Sequence, residues 1–117
     1  MKQSNLFKVE IFAKAQKEID ELAGKFQSLP NIIQNLMCEL SQRPQLGDRM
    51  SGMGGDLYQI NQPSPDSSEG TSSGFRVVTR INQDSRTVAI IKVEKKQSIA
   101  EKRDYQQYRK EILRRIK

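Results

Sequence analysis

The sequence predicts an α+β domain: an antiparallel sheet of about four strands, an N-terminal helical hairpin and a C-terminal basic helix. Three observations carry this. Four short segments are built like strands, alternating in polarity or rich in β-branched and apolar residues. Two apolar stripes at helical spacing follow the first of these segments, divided by Ser28-Leu29-Pro30. The 117 residues, 35% hydrophobic and 29% charged, suffice for one domain with one modest core.

Each element follows in turn. Phe7, Val9 and Ile11 alternate with Lys8 and Glu10, which predicts a strand over residues 7–12. From Ala13 the period changes, and Ala15, Ile19, Leu22, Ala23 and Phe26 share one helical face. Gly24 and Ser28-Leu29-Pro30 end that helix, and Pro30 suits the first turn of the next, where its missing N–H is harmless. Ile32, Ile33, Leu36, Met37 and Leu40 form the second stripe, which Pro44 stops. The lone cysteine, Cys38, falls within this pattern and reads as a small buried hydrophobe. Residues 44–57 are a glycine-punctuated loop without the Gly-Lys-Ser/Thr of a phosphate-binding P-loop. Leu57-Tyr58-Gln59-Ile60 reads as a short strand, and residues 61–74, rich in Pro and Ser, as a flexible exposed loop. Phe75–Ile81 and Thr87–Lys95 read as a hairpin around Asn82-Gln83-Asp84-Ser85-Arg86. Ser98-Ile99-Ala100-Glu101 has capping-box spacing and predicts a basic helix over about 98–116. The whole of 1–117 is expected to form one domain.

Charge narrows the function. The net charge is +6, but up to Phe75 seven Lys/Arg face nine Asp/Glu, whereas from Arg76 onward thirteen face five. The positive excess therefore lies in the C-terminal third, as expected of a surface that meets a polyanion. There is no histidine, so proton transfer must use Lys, Tyr, Glu, Asp or the substrate itself. One cysteine makes neither an internal disulfide nor a multi-cysteine metal site. No apolar run approaches the roughly 20 residues of a membrane helix, and no secretory signal opens the sequence. The protein is expected in the cytoplasm, without a membrane or a cofactor.

The strand Phe75–Ile81 carries the chemistry. Its alternation sets Phe75, Val77, Thr79 and Ile81 on a face suited to burial and leaves Arg76 and Arg80 on the other, open face. If Ile81 pairs with Thr87, Arg76 lies opposite Lys92, and two like charges so placed call for an anion between them. Lys95 and Lys96 thicken the cluster. Arg and Lys without His suit the stabilisation of a phosphate under attack. RNA brings its own nucleophile in the 2′-hydroxyl, so such a cluster can promote cleavage without a metal.

These residues resemble a known family. Gly47 and Gly52, then Leu57-Tyr58-Gln59-Ile60, then Gly74-Phe75-Arg76-Val77-Val78 and Ile91-Lys92-Val93-Glu94-Lys95-Lys96 are similar in order and spacing to the RelE/ParE superfamily of bacterial toxins. The resemblance spans roughly residues 7 to 103. It implies that Arg76 is a catalytic, phosphate-stabilising arginine and that Lys96, in the basic turn, acts with it. Arg49, Arg80, Lys92 and Lys95 are then candidates for nucleic-acid contact. Two departures stand out. Gln59 and Asn61 replace lysines of the RelE-type strand, and Lys102 stands where RelE has a tyrosine, which leaves Tyr105, one helical turn on, as a candidate catalytic residue.

The function that the resemblance implies is a toxin of a toxin–antitoxin pair, a ribosome-dependent mRNA endoribonuclease that inhibits translation. Its partners would be a cognate antitoxin, the ribosome and mRNA, with operator DNA reached only through the antitoxin complex. A ParE-like inhibitor of DNA gyrase and a non-catalytic antitoxin-binding corepressor are the alternatives.

Overall fold

A computed structural model of the chain describes residues 6–50, 56–63, 74–95 and 105–116, with only the backbone described at 105 and 106. The elements run β1 (Lys8–Ile11), α1 (Ala13–Ala23), α2 (Leu29–Gln42), β2 (Asp48–Arg49), β3 (Leu57–Gln62), β4 (Phe75–Asn82), β5 (Thr87–Lys95) and α3 (Tyr105–Arg115). The strands form one sheet in the order β1-β5-β4-β3-β2.

This sheet corrects the expectation in two ways. It has five strands, because the glycine-punctuated loop contributes the two-residue β2, pairing Asp48 with Gln59 and Arg49 with Tyr58. It is also mixed: β1 runs parallel to β5, whereas the other pairings are antiparallel. No hairpin links β1 to its neighbour, so no tight turn forces an antiparallel return. β3 also runs further than expected, through Asn61 and Gln62, which pair with Arg76 and Phe75. Residues 64–73 of the Pro/Ser-rich loop, and residues 98–104 of the helix expected over about 98–116, lie outside the described residues.

The sheet is buried on both faces. The α1–α2 hairpin packs Ala15, Ile19, Ile33, Leu36 and Leu40 on Phe75, Val77, Ile81, Val88 and Ile90. Phe26 and Phe75 meet edge to face there, with centroids 5.4 Å apart. On the other side α3 lays Tyr108 and Ile112 against Leu57, Val78, Ala89 and Ile91. The face expected to be open is thus partly roofed by the last helix. Cys38, by contrast, is exposed, because it lies off the stripe of Ile33, Leu36 and Leu40.

Two glycines permit close approaches that a side chain would block. Gly47 has φ +95°, and a Cβ there would sit 2.5 Å from the Gln59 carbonyl oxygen. At Gly74 a Cβ would overlap the Gln62 carbonyl, so glycine lets the start of β4 pass against the end of β3. No helix among the described residues is long and apolar enough to cross a membrane.

Candidate functional site

Arg76 does not face Lys92. Asn82 pairs with Thr87, one step beyond the expected register, and an irregularity between Val78 and Thr79 leaves Ile91 as an extra residue on β5. A bulge of this kind sets two residues against one and re-aims the side chains beyond it. The two steps bring Glu94 opposite Arg76 and move Lys92 opposite Val78. A like-charge pair is thereby replaced by an opposite-charge one.

The site is a row across the sheet. Asn61 on β3, Arg76 on β4 and Glu94 on β5 are successive register partners, so they share the face that α3 covers. Arg76 Nη1 donates to Glu94 Oε2 at 3.2 Å. Glu94 Oε1 lies 4.0 Å from Lys92 Nζ. Lys92 is itself buried, and its ammonium donates to Glu111 Oε2 of α3 at 2.8 Å and to Glu18 Oε2 of α1 at 3.4 Å. The Tyr108 ring of α3 completes the enclosure, its centroid 5.8 Å from Arg76 Cζ.

Glu18 joins three elements at the edge of β5. β1 ends at Ile11, and Phe12 N–H makes the last strand-like bond, to the Ile90 carbonyl. Beyond that point side chains stand in for the missing strand. Glu18 Oε1 accepts the Val93 N–H at 2.9 Å, and Arg115 Nη1 donates to the Ile91 carbonyl at 2.9 Å. Those two side chains also grip each other, at 2.7 Å and 3.0 Å through both guanidinium nitrogens. Burial pushes the Glu18 carboxyl up, but the Arg115 bond, the Val93 N–H and the nearby cationic charges outweigh it and hold it below its ordinary value. The Glu18 hydrogen bond in turn raises Arg115 above its ordinary value. Arg76, Lys92 and Arg115 are thus matched by Glu18, Glu94 and Glu111.

The other candidates are dispersed. Arg80 lies on the Arg76 face, opposite Leu57 and Ala89, but about 13 Å further along the strand. Lys95 is on the reverse face, its ammonium 5.4 Å from the Phe26 ring centroid. Arg49 pairs with Tyr58, which packs into the hairpin-side core, so it too belongs to the reverse face. Lys96 and the Tyr105 side chain lie outside the described residues. Among the described residues there is no group of three or more metal-ligating side chains. Sequence reasoning missed Glu18, Glu94, Glu111 and Arg115, whose contacts span separations as long as 97 residues. The place of Tyr108 beside Arg76 carries no local signal in the sequence.

A helical hairpin on one face of a five-stranded sheet, with a basic helix on the other, is the fold of the RelE toxins. The chain is similar to the E. coli toxin RelE, solved in the free state as a double arginine-to-alanine mutant, with 22% identity and a TM-score of 0.64 over 96% of this chain and 99% of that one. It is also similar to a toxin–antitoxin complex of Mycobacterium tuberculosis, at 14% identity and a TM-score of 0.59 over 84% of this chain and 99% of the other. The intact E. coli RelBE toxin–antitoxin complex matches at 22% identity and a TM-score of 0.59, over 78% of this chain and 98% of that one. No protein-family profile and no curated protein matches the sequence.

Proposed function

We propose that this chain is the toxin of a toxin–antitoxin pair and that it cleaves messenger RNA on the ribosome as a metal-independent endoribonuclease. It works as a single domain. The observation that carries the reading is the placement of Arg76: on a central strand of a RelE-like sheet, beside the buried Lys92, on the face that bears Asn61 and Arg80. Two cations so fixed stabilise the extra negative charge of a phosphate attacked by the neighbouring 2′-hydroxyl. The partner is a small antitoxin, as in the two toxin–antitoxin complexes of the same fold.

A second reading has its own support. The carboxylates of Glu94 and Glu111 already occupy Arg76 and Lys92, which is what a non-catalytic, antitoxin-binding corepressor would tolerate. Purified protein added to ribosomes programmed with a message separates the two. An endoribonuclease leaves discrete cuts, weakened steeply by salt because basic groups make the contact. A corepressor leaves the message whole and tightens operator binding by the antitoxin. Whole messages together with inhibited gyrase would instead identify a ParE-like activity.

A further inference from the structure

We infer that Glu94 is the general base of the proposed cleavage, accepting the proton of the RNA 2′-hydroxyl. The inference rests on the endoribonuclease reading and adds to it the group that reading lacks.

A base is required, and the chain has no histidine to supply one. Among the described residues, three carboxylates reach the cationic cluster. Glu18 is committed to structure: Arg115 grips both its oxygens, the Val93 N–H and Lys92 bond it, and its carboxyl is held below the ordinary range. Glu111 sits on α3 and bonds Lys92 and Arg115. Glu94 stands directly between the two phosphate-binding candidates, with one oxygen 3.2 Å from Arg76 Nη1 and the other 4.0 Å from Lys92 Nζ. It is carried by a paired strand, so its backbone is fixed relative to Arg76. A phosphate drawn to Arg76 and Lys92 brings its adjacent 2′-hydroxyl to the side chain that lies between them.

The step balances as follows. The 2′-O–H bond breaks and the proton passes to the Glu94 carboxylate. The 2′-oxygen forms a bond to phosphorus, and the phosphorus–5′-oxygen bond breaks. The leaving oxygen takes a proton from water. The products are a 2′,3′-cyclic phosphate and a 5′-hydroxyl, and Glu94 returns its proton to solvent. Among the described residues, the charged groups near Glu94 include Arg76 from β4, Lys92 from β5 and, around Lys92, Glu18 from α1 with Glu111 and Arg115 from α3.

The test is single-turnover cleavage of a ribosome-bound message by wild type, Glu94→Gln, Glu94→Asp and Glu94→Ala. Glu94→Gln keeps the shape and a hydrogen-bond acceptor for Arg76. It should lower the rate on the order of 10²–10⁴-fold, with half-saturating ribosome concentration little changed. Glu94→Asp should be slower than wild type yet faster than Glu94→Gln, and acetate should restore part of the Glu94→Ala rate. A Glu94→Gln rate within tenfold of wild type overturns the role. So does a loss confined to ribosome affinity, or a Glu94→Ala rate that acetate leaves unchanged, either of which would make Glu94 a positioning residue for Arg76. Where Glu94→Gln does not fold, a Glu94→Ala rate that acetate does not raise overturns the role in its place. A wild-type protein that leaves messages whole removes the endoribonuclease reading and Glu94's role with it, whereas cleavage abolished by Arg76→Ala but indifferent to Glu94 removes the role alone.

Discussion

Arg76 on β4 and Glu94 on β5 are register partners, joined at 3.2 Å, with side chains only 17% and 14% exposed. An ion pair this enclosed does more than solubilise a sheet face. Opening it leaves an under-compensated charge, so the pair holds both groups in place until another anion arrives. In the proposed reaction a phosphate would compete with the carboxylate for Arg76, and the pairing would keep the arginine ordered until then.

The grip of Glu18 on Arg115 should fasten α3 to the sheet. Arg115→Ala and Glu18→Gln should each destabilise the protein, and the double variant should lose less than the sum of the two. A coupling of about 1–3 kcal/mol is expected for contacting charges that share a network. Urea unfolding of the four proteins measures it, and additive losses would show that the contact contributes nothing.

Stability should also fall at acid pH through Glu18. Its carboxyl is held below the ordinary 4.5, so its contribution is complete above the value of the unfolded chain and is lost as pH falls through the folded value. Melting temperatures measured from pH 7 down to pH 3 should drop less in Glu18→Gln than in wild type below about pH 4.5. Parallel curves would contradict the assignment.

Gly74→Ala should be costly although the side chain it adds is small. The new methyl overlaps the Gln62 carbonyl and approaches Pro63 Cα at 2.9 Å, and backbone atoms cannot turn aside as a flexible side chain can. A loss of about 1–3 kcal/mol in thermal or urea unfolding is expected for such overpacking. Unchanged stability would mean that the β3–β4 junction relaxes freely.

Much of the fold was written in periodicity. The stripes of α1 and α2, the alternation in β1 and the apolar runs of β4 and β5 all lie where the pattern puts them. Asp48-Arg49 shows no alternation and becomes a strand only because β3 offers it a ladder. The run Val88-Ala89-Ile90-Ile91 hides the bulge, since nothing local says which of its residues is the extra one. That one residue decides the partner of Arg76, so the arginine itself was legible and its environment was not. Nothing local marks Glu18, because its reason for being there lies 75 residues away at Val93.

Primer extension on cellular messages after induction of wild type and Arg76→Ala tests the central proposal most directly. Wild type should halt growth and produce discrete message ends, and Arg76→Ala, folded to the same circular-dichroism spectrum, should produce neither. Discrete ends that persist undiminished in Arg76→Ala, or messages left whole by a toxic wild type, would contradict it.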